Sequence, residues 1–171
     1  ELIPFIADAV PGWFQPILTL HDADENEVAF NDDFRFKPDP TILYKVEKDG
    51  EYILSITDAI YRGREDFVYR ITIAESPFVT SMFPLGGRVG NSPRVKLEGW
   101  NLNGAKLMLP AKDAAAGVHD IAATRKGLFS NVVPFALDDL PEQFEKEPSN
   151  GAAQARRVTM PTIINGRMDH P

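Results

Sequence analysis

The sequence contains no cysteine, and this absence excludes two kinds of structure. Neither a disulfide framework nor a thiolate metal site can form, so cysteine usage does not report the redox compartment. No apolar run approaches the roughly 20 residues of a membrane-spanning helix. Positive charge is also scarce, because 18 Lys and Arg stand against 25 Asp and Glu and the formal net charge is −7. A nucleic-acid-binding surface needs clustered cations, so we expect neither a nucleic-acid partner nor a membrane span.

Recognisable catalytic motifs are missing as well. The three histidines, His21, His119 and His170, are scattered, and none has a metal-ligand spacing such as His-Glu-x-x-His. There is no nucleophile elbow and no phosphate-binding loop. Asp32 and Asp33 are adjacent, so on a strand their side chains point to opposite faces and cannot share one substrate. We therefore predict that the chain is not an enzyme.

The first part of the chain contains short apolar segments that alternate with polar residues. Residues 17–20 and 27–30 flank a turn-rich cluster, which predicts a β-hairpin. Residues 41–46 and 52–56 flank Lys-Asp-Gly and predict a second hairpin. Residues 67–73 alternate in the same way and predict another half-buried strand.

The second part of the chain begins after Glu75-Ser76-Pro77 and is rich in glycine and proline turns. Its predicted strands are residues 78–83, 94–98, 119–124 and 132–136. We expect helical turns only at residues 107–116 and 141–144, a linker over 138–148, and a last strand-like stretch over 158–164. The whole pattern is typical of an all-β chain with two β-sandwich modules and little helix.

The N-terminal motifs occur in a characteristic order over residues 9–70. They are Ala9 to Gln15, Leu18 to Ala23, Asn31 to Phe34, Asp49 to Tyr52 and Asp58 to Arg70. This order resembles the bacterial pre-peptidase C-terminal domain, especially the copies in large planctomycete-type secreted proteins. The resemblance implies a partial β-sandwich of jelly-roll character, linked to adhesion, carbohydrate or calcium. It also implies a secreted, periplasmic or cell-surface location.

Two further segments carry resemblances. Pro77 to Gly87 with Val95 to Leu102 is similar to the immunoglobulin-like fold that plexins and some transcription factors share. Glu147 to Asp169 is similar to the start of another pre-peptidase C-terminal domain, although Ser149-Asn150 departs from the usual Asn-Asp pair. We therefore assign residues 1–76 to a partial jelly-roll-like module, 77–138 to an immunoglobulin-like module, and 139–171 to a linker with the first strands of another module.

This arrangement predicts that the chain is a fragment with incomplete modules at both ends. Glu1 to Pro4 lack the features of a signal peptide, so we expect any such segment to lie upstream or to have been removed. A half sandwich exposes unpaired backbone at its edge, and such edges recruit strands. We therefore expect the C-terminal tail near Val158 to Asn165 to pair with the N-terminal module, within the chain or by strand exchange between chains.

Oxygen-bearing side chains cluster around the first predicted hairpin. They are Asp22, Asp24, Asn31, Asp32 and Asp33. Ca²⁺ takes about six to eight hard oxygen ligands, so one interpretation is a calcium site. The other is turn chemistry, because Asp and Asn are also preferred in hairpin turns for backbone reasons, and the spacing is not that of an EF-hand loop.

A mixed-charge loop and several aromatics supply the candidate ligand-binding residues. One interpretation is that a guanidinium of Arg62 or Arg64 binds a carboxylate or sugar hydroxyls through two hydrogen bonds. The other is that these arginines stabilise the loop by an internal salt bridge. Trp13 and Tyr61 belong to an aromatic group that forms a sugar-stacking platform or packs inside the modules. The other members of that group are Phe14, Phe34 and Phe36.

The predicted function is that of a non-catalytic extracellular segment. It contributes adhesion, contact with a polysaccharide or an extracellular protein, or spacing between domains. One alternative is an accessory region of a secreted peptidase or other hydrolase whose catalytic domain lies elsewhere. The other is a structural stalk without a ligand. Calcium is the one cofactor that the residues suggest.

Overall fold

A computed structural model describes residues 14–35, 37–145 and 155–168. The chain divides into two compact units, Glu1–Ile73 and Ala74–Pro171. The described residues form strands, turns and extended segments without a helix, and the fold is all-β of sandwich type. Within the same residues, no helix is long and apolar enough to cross a membrane. The assignment of residues 1–76, 77–138 and 139–171 to the three named modules stays a prediction.

In the first unit, the part of the chain that the structure describes forms one antiparallel sheet of three strands. They are β1 (Pro16–His21), β2 (Glu27–Asn31) and β3 (Ile53–Asp58), in the order β2-β1-β3. Leu18 of β1 lies opposite Asn31 on one side and Ile56 on the other. The β1–β2 hairpin confirms the first predicted hairpin, which the alternating apolar residues and the turn cluster between them indicate.

Two predictions for this unit are wrong. Residues 41–46 form no strand, because β3 takes the open edge of β1 instead of pairing with them. Tyr44 still contacts the same region, with its ring 5.8 Å from that of Tyr52. Residues 67–73 form no strand either, and residues 68–75 are exposed. Alternation shows that a segment is suited to a strand, but a strand also requires a free backbone partner.

The described residues of the second unit form nine strands. They are β4 (Phe78–Phe83), β5 (Gly86–Arg88), β6 (Lys96–Trp100), β7 (Lys106–Met108), β8 (Gly117–Arg125), β9 (Leu128–Phe129), β10 (Val133–Asp138), β11 (Glu142–Phe144) and β12 (Ile163–Asn165). One sheet has the order β5-β10-β8-β7, with β9 also paired to β8. The strands β4 and β6 form a second sheet, and β11 and β12 a third. The strands β4, β6, β8 and β10 confirm the four strands predicted for this region.

The core of the second unit lies between its sheets. Ile121, Phe135 and Leu137 are buried on β8 and β10, and Met82 of β4 packs against them. The pairing of β4 with β6 is irregular next to Val79. The side chain of Asn131 forms hydrogen bonds with the backbone of Val79. Its Oδ1 accepts the Val79 N–H at 2.7 Å and its Nδ2 donates to the Val79 carbonyl at 3.1 Å. An amide side chain thus satisfies buried backbone groups that the ladder leaves unpaired.

The expectations for turns, linker and tail in this unit need correction. Residues 107–116 and 141–144 contain no helical turn and instead contribute to β7 and β11. Gly86 and Gly87, expected in a turn, begin β5, which runs parallel to β10. The C-terminal tail is expected to pair with the N-terminal module, but over the residues that the structure describes its strand Ile163–Asn165 pairs in parallel with Glu142–Phe144 of the second unit. Strand exchange between chains stays a prediction.

Candidate functional site

Asp58, the last residue of β3, is buried and organises the loop that follows it. Its carboxylate accepts the backbone N–H groups of Gln15, Ile60 and Arg62 at 3.1, 3.2 and 3.0 Å. The Arg62 guanidinium donates to both oxygens, from Nε to Oδ2 at 2.9 Å and from Nη2 to Oδ1 at 3.0 Å. The two residues are four apart, so one tight loop brings the guanidinium back onto the carboxylate.

These contacts hold the ionised form of Asp58. The side-chain hydrogen bonds from Arg62 are the largest cause that lowers the pKa of Asp58, and they outweigh burial, which acts in the opposite direction. The backbone N–H groups lower the pKa of Asp58 further. The same hydrogen bonds raise the pKa of Arg62. The pair therefore stays charged over the whole physiological pH range.

Tyr61 lies between the two members of this ion pair and has an unusual backbone. Its φ is +58°, a left-handed conformation that is uncommon for residues other than glycine. Its backbone N–H donates to the Asp58 carbonyl at 2.8 Å. The Tyr61 side chain is 89% exposed. The loop thus holds a large aromatic ring out in solvent while its backbone is tied to β3.

Two guanidinium groups and three further aromatic rings lie beside this loop. Phe14 stacks on Phe67 with ring centroids 5.4 Å apart. The Cζ atoms of Arg62 and Arg64 lie 5.4 and 5.7 Å from the Phe67 centroid, within the range of cation–π attraction. Tyr69 approaches Phe14, with ring centroids 6.3 Å apart. Both arginines therefore lie beside the ring of Phe67, and each is also paired with a carboxylate, Arg62 with Asp58 and Arg64 with Asp66.

Together these groups line an open pocket of about 400 Å³, called here the loop pocket. Its lining residues are Phe14, Ile56, Thr57, Asp58, Tyr61, Arg62, Gly63, Arg64, Phe67 and Tyr69. The volume falls within the range of small-ligand sites. Among the described lining residues, Arg62 and Arg64 carry a positive charge and Asp58 a negative one, although the chain as a whole carries a formal net charge of −7.

The structure brings together Tyr61, Arg62 and Arg64 of the predicted ligand-binding residues. Trp13 and Phe36 lie outside the described residues, and Phe34 does not line the loop pocket. Sequence reasoning missed Asp58, Phe67 and Tyr69 as site residues. An Asp at the end of a strand, four residues before an Arg, is the signal that could have found Asp58. Phe67 and Tyr69 belong to the segment predicted as a half-buried strand, and the structure places both in the pocket lining.

Two of the residues predicted to bind calcium, Asp22 and Asn31, accept hydrogen bonds from backbone N–H groups. Asp22 Oδ1 accepts the backbone N–H groups of Asp24 and Asn26 at 3.0 and 2.9 Å, and the Asn26 N–H is the largest cause that lowers the pKa of Asp22. Asn31 Oδ1 accepts the Thr41 N–H at 2.7 Å. Asp32 and Asp33 are exposed. The Asp22 contacts form an Asx-type turn.

Over the described ranges, no three His, Cys, Asp or Glu side chains form a group that could hold a metal ion. Ca²⁺ also accepts Asn and backbone oxygens as ligands. The calcium prediction for Asp22, Asp24, Asn31, Asp32 and Asp33 therefore stays a prediction. A thermal melt in calcium and then in chelator tests it, because an ion bound only by the folded state raises the melting temperature.

Comparison of the chain with family models, with curated proteins and with solved structures finds no match. The resemblances to the pre-peptidase C-terminal domain and to the immunoglobulin-like fold therefore stay predictions. A function for the loop pocket therefore rests on its own residues and contacts.

Proposed function

We propose that this chain is a non-catalytic, extracytoplasmic β-sandwich segment whose first unit binds a carbohydrate at the loop pocket. The observation that carries the proposal is the exposed ring of Tyr61 on a left-handed backbone. Such a conformation costs free energy and persists only where neighbouring contacts hold it, which points to a use for the exposed ring. A tyrosine offers an apolar face and a polar tip, the combination that a sugar ring requires.

The surroundings of Tyr61 support the same proposal. Tyr69, which is 58% exposed, lines the same pocket, so two amphipathic rings border one concave surface. Arg62 and Arg64 add guanidinium groups at its edge. Concave sites with aromatic walls and a few convergent polar groups are typical of ligand binding. The Asp58–Arg62 ion pair lines the same pocket.

A glycan array probed with the purified chain tests this function, followed by affinity measurements on any glycan that binds. Replacing Tyr61 by Ala should weaken binding roughly tenfold, because the stacked ring is lost. Phe129→Ala is the matched control, since Phe129 is also an exposed aromatic residue, at 61%, but lies in β9 of the second unit. Equal affinities of wild type and Tyr61→Ala would reject the loop pocket as the binding site.

A specific observation favours a second candidate, that of a spacer between other domains. Both arginines of the loop have carboxylate partners within the loop, Arg62 with Asp58 and Arg64 with Asp66. Internal pairs of this kind rigidify a segment without a ligand. An array on which no glycan binds the wild-type chain would favour the spacer over the carbohydrate-binding function.

A further inference from the structure

Arg64 differs from Arg62 in how easily its partner can be replaced. Its Nε lies 3.0 Å from Asp66 Oδ1 and its Nη2 lies 3.0 Å from Asp66 Oδ2, so the pair is bidentate. The Arg64 and Asp66 side chains are 47% and 41% exposed. Exposed ion pairs contribute little net stability. A second carboxylate in the same geometry can therefore take the place of Asp66 without disrupting the fold.

Arg62 is held far more firmly. The Asp58 side chain that it contacts is fully buried, and three backbone N–H groups also donate to that carboxylate. Separating a buried pair leaves an uncompensated charge, so Arg62 stays in place when a ligand arrives. The loop pocket thus contains one fixed guanidinium and one exchangeable guanidinium, both beside the ring of Phe67.

Open space lies beside the backbone of Gly63, the residue that joins these two arginines. Gly63 lines the pocket, and a Cβ added to it would meet no atom within 4 Å. Among the described lining residues, Asp58 is the only acidic one, and its oxygens accept hydrogen bonds from the protein. The carboxylate that pairs with Arg64 comes from Asp66, which is not among the described lining residues. A ligand with a planar carboxylate can compete with Asp66 for the guanidinium group of Arg64, which a neutral ligand cannot.

We infer that the loop pocket binds the carboxylate of an acidic saccharide, such as a uronic acid unit, which replaces Asp66 on Arg64. This inference rests on the proposed carbohydrate-binding function and names the substrate class of the same site. A guanidinium matches a carboxylate through two parallel N–H···O bonds. The exposed ring of Tyr61 provides the stacking surface that favours a sugar over an acidic peptide. No covalent step is involved.

The test is calorimetric titration of the full chain with trigalacturonic acid and with its methyl ester. The two probes have the same sugar skeleton and differ in the charge of the carboxyl groups. We expect the free acid to bind at least tenfold more tightly than the ester. Arg64→Ala should remove this preference, and Arg64→Lys should restore only part of it because an ammonium group lacks the planar fork. Asp66→Asn should strengthen binding of the acid, since it removes the competing carboxylate.

A second pair of variants tests the position of the ligand independently of charge. Gly63→Leu places a bulky side chain in the open space of the pocket, and it should abolish binding of the acid. Gly50→Leu is the matched control, because a Cβ at Gly50 also meets no atom within 4 Å and Gly50 does not line the pocket. Unchanged melting temperatures would show that both variants fold. This pair keeps the test valid if Arg64→Ala fails to fold.

The outcomes separate this inference from the function on which it rests. Equal binding of acid and ester, or binding of the acid that Arg64→Ala leaves unchanged, overturns the inference while the carbohydrate-binding function stands. Binding of neutral glycans on the array without binding of trigalacturonic acid has the same consequence. A triglutamate peptide that binds as tightly as trigalacturonic acid also overturns it. If no glycan binds at all, both proposals fail.

Discussion

At the scale of single residues, Asp58 determines the geometry of the loop pocket. Among the described residues, Asp58 is the only polar one that is buried, with 4% of its surface exposed. A buried carboxylate is costly unless hydrogen bonds and an opposite charge compensate for it, and the Asp58 side chain has both. The loop from Ile60 to Arg62 therefore depends on this one side chain for its shape.

Replacing Asp58 by Ala should lower the free energy of unfolding of the first unit by about 3 kcal/mol, because backbone N–H groups and a guanidinium lose their acceptor. Urea unfolding monitored by tyrosine and tryptophan fluorescence measures the loss. Asp66→Ala is the control, since its ion pair with Arg64 is exposed and should contribute little. Similar losses in the two variants would contradict the central role of Asp58.

The lowered pKa of Asp58 predicts a pH dependence of stability. Its pKa in the folded state lies below the unfolded value of about 3.9, so its stabilising contribution is fully present above that value. The contribution is lost as the pH falls toward the folded-state pKa. Wild type should therefore exceed Asp58→Asn in stability by the largest amount at about pH 6, and by less at about pH 3. A stability difference that does not change with pH would refute this assignment.

At the scale of elements, β10 is central to the second unit. It pairs with β5 on one side and with β8 on the other, and its residues Phe135 and Leu137 belong to the buried cluster. The side chain of Phe135 is fully buried. Its position opposite His119 of β8 follows from the register that the two strands share.

Replacing Phe135 by Ala should cost about 3–5 kcal/mol, because it removes buried apolar surface and leaves a cavity between the sheets. Phe129→Ala makes the same chemical change in β9 at a side chain that is 61% exposed, and it should alter stability by less than about 0.5 kcal/mol. Chemical unfolding of both variants provides the comparison. A small effect of Phe135→Ala would show that the core is not where the structure places it.

Strand positions in the second unit could be predicted from the sequence better than strand partners. The predicted segment at residues 78–83 coincides with β4, because a short, largely apolar segment stands between Ser76-Pro77 and Pro84, which mark its limits. Its partner β6 could not be inferred, since many alternating segments are equally suited to pair. Gly86 shows the same limit. A Cβ there would collide with the Ala136 carbonyl, so this glycine permits close pairing of β5 with β10 rather than a turn.

At the scale of the whole chain, an exposed segment joins the two compact units. Residues 68–75 are all exposed, and no backbone hydrogen bond links them to another described residue. Their boundary with the second unit lies at Ala74. Segments with few backbone hydrogen bonds and little burial open most readily to proteases.

Limited trypsin digestion should therefore cut after Arg70 before it cuts after Lys106, which lies in β7 and pairs with β8. Mass spectrometry at successive times identifies the order of the cuts. Arg70→Gln should remove the early pair of fragments and leave the later ones unchanged. Cleavage after Lys106 at the same rate would mean that residues 68–75 are more protected than their exposure indicates.

The sequence by itself determined the all-β class, because short alternating segments between Gly, Pro, Asp and Asn turns are a local property of the chain. It also determined the β1–β2 hairpin and excluded cysteine chemistry. Only the tertiary structure decided that β3 rather than residues 41–46 pairs within the first sheet, and that the tail joins β11. It alone decided that Asp58 is buried and that Phe14, Phe67 and the two arginines meet. Alternation depends on neighbouring residues, whereas strand pairing and burial depend on contacts between residues far apart in the sequence.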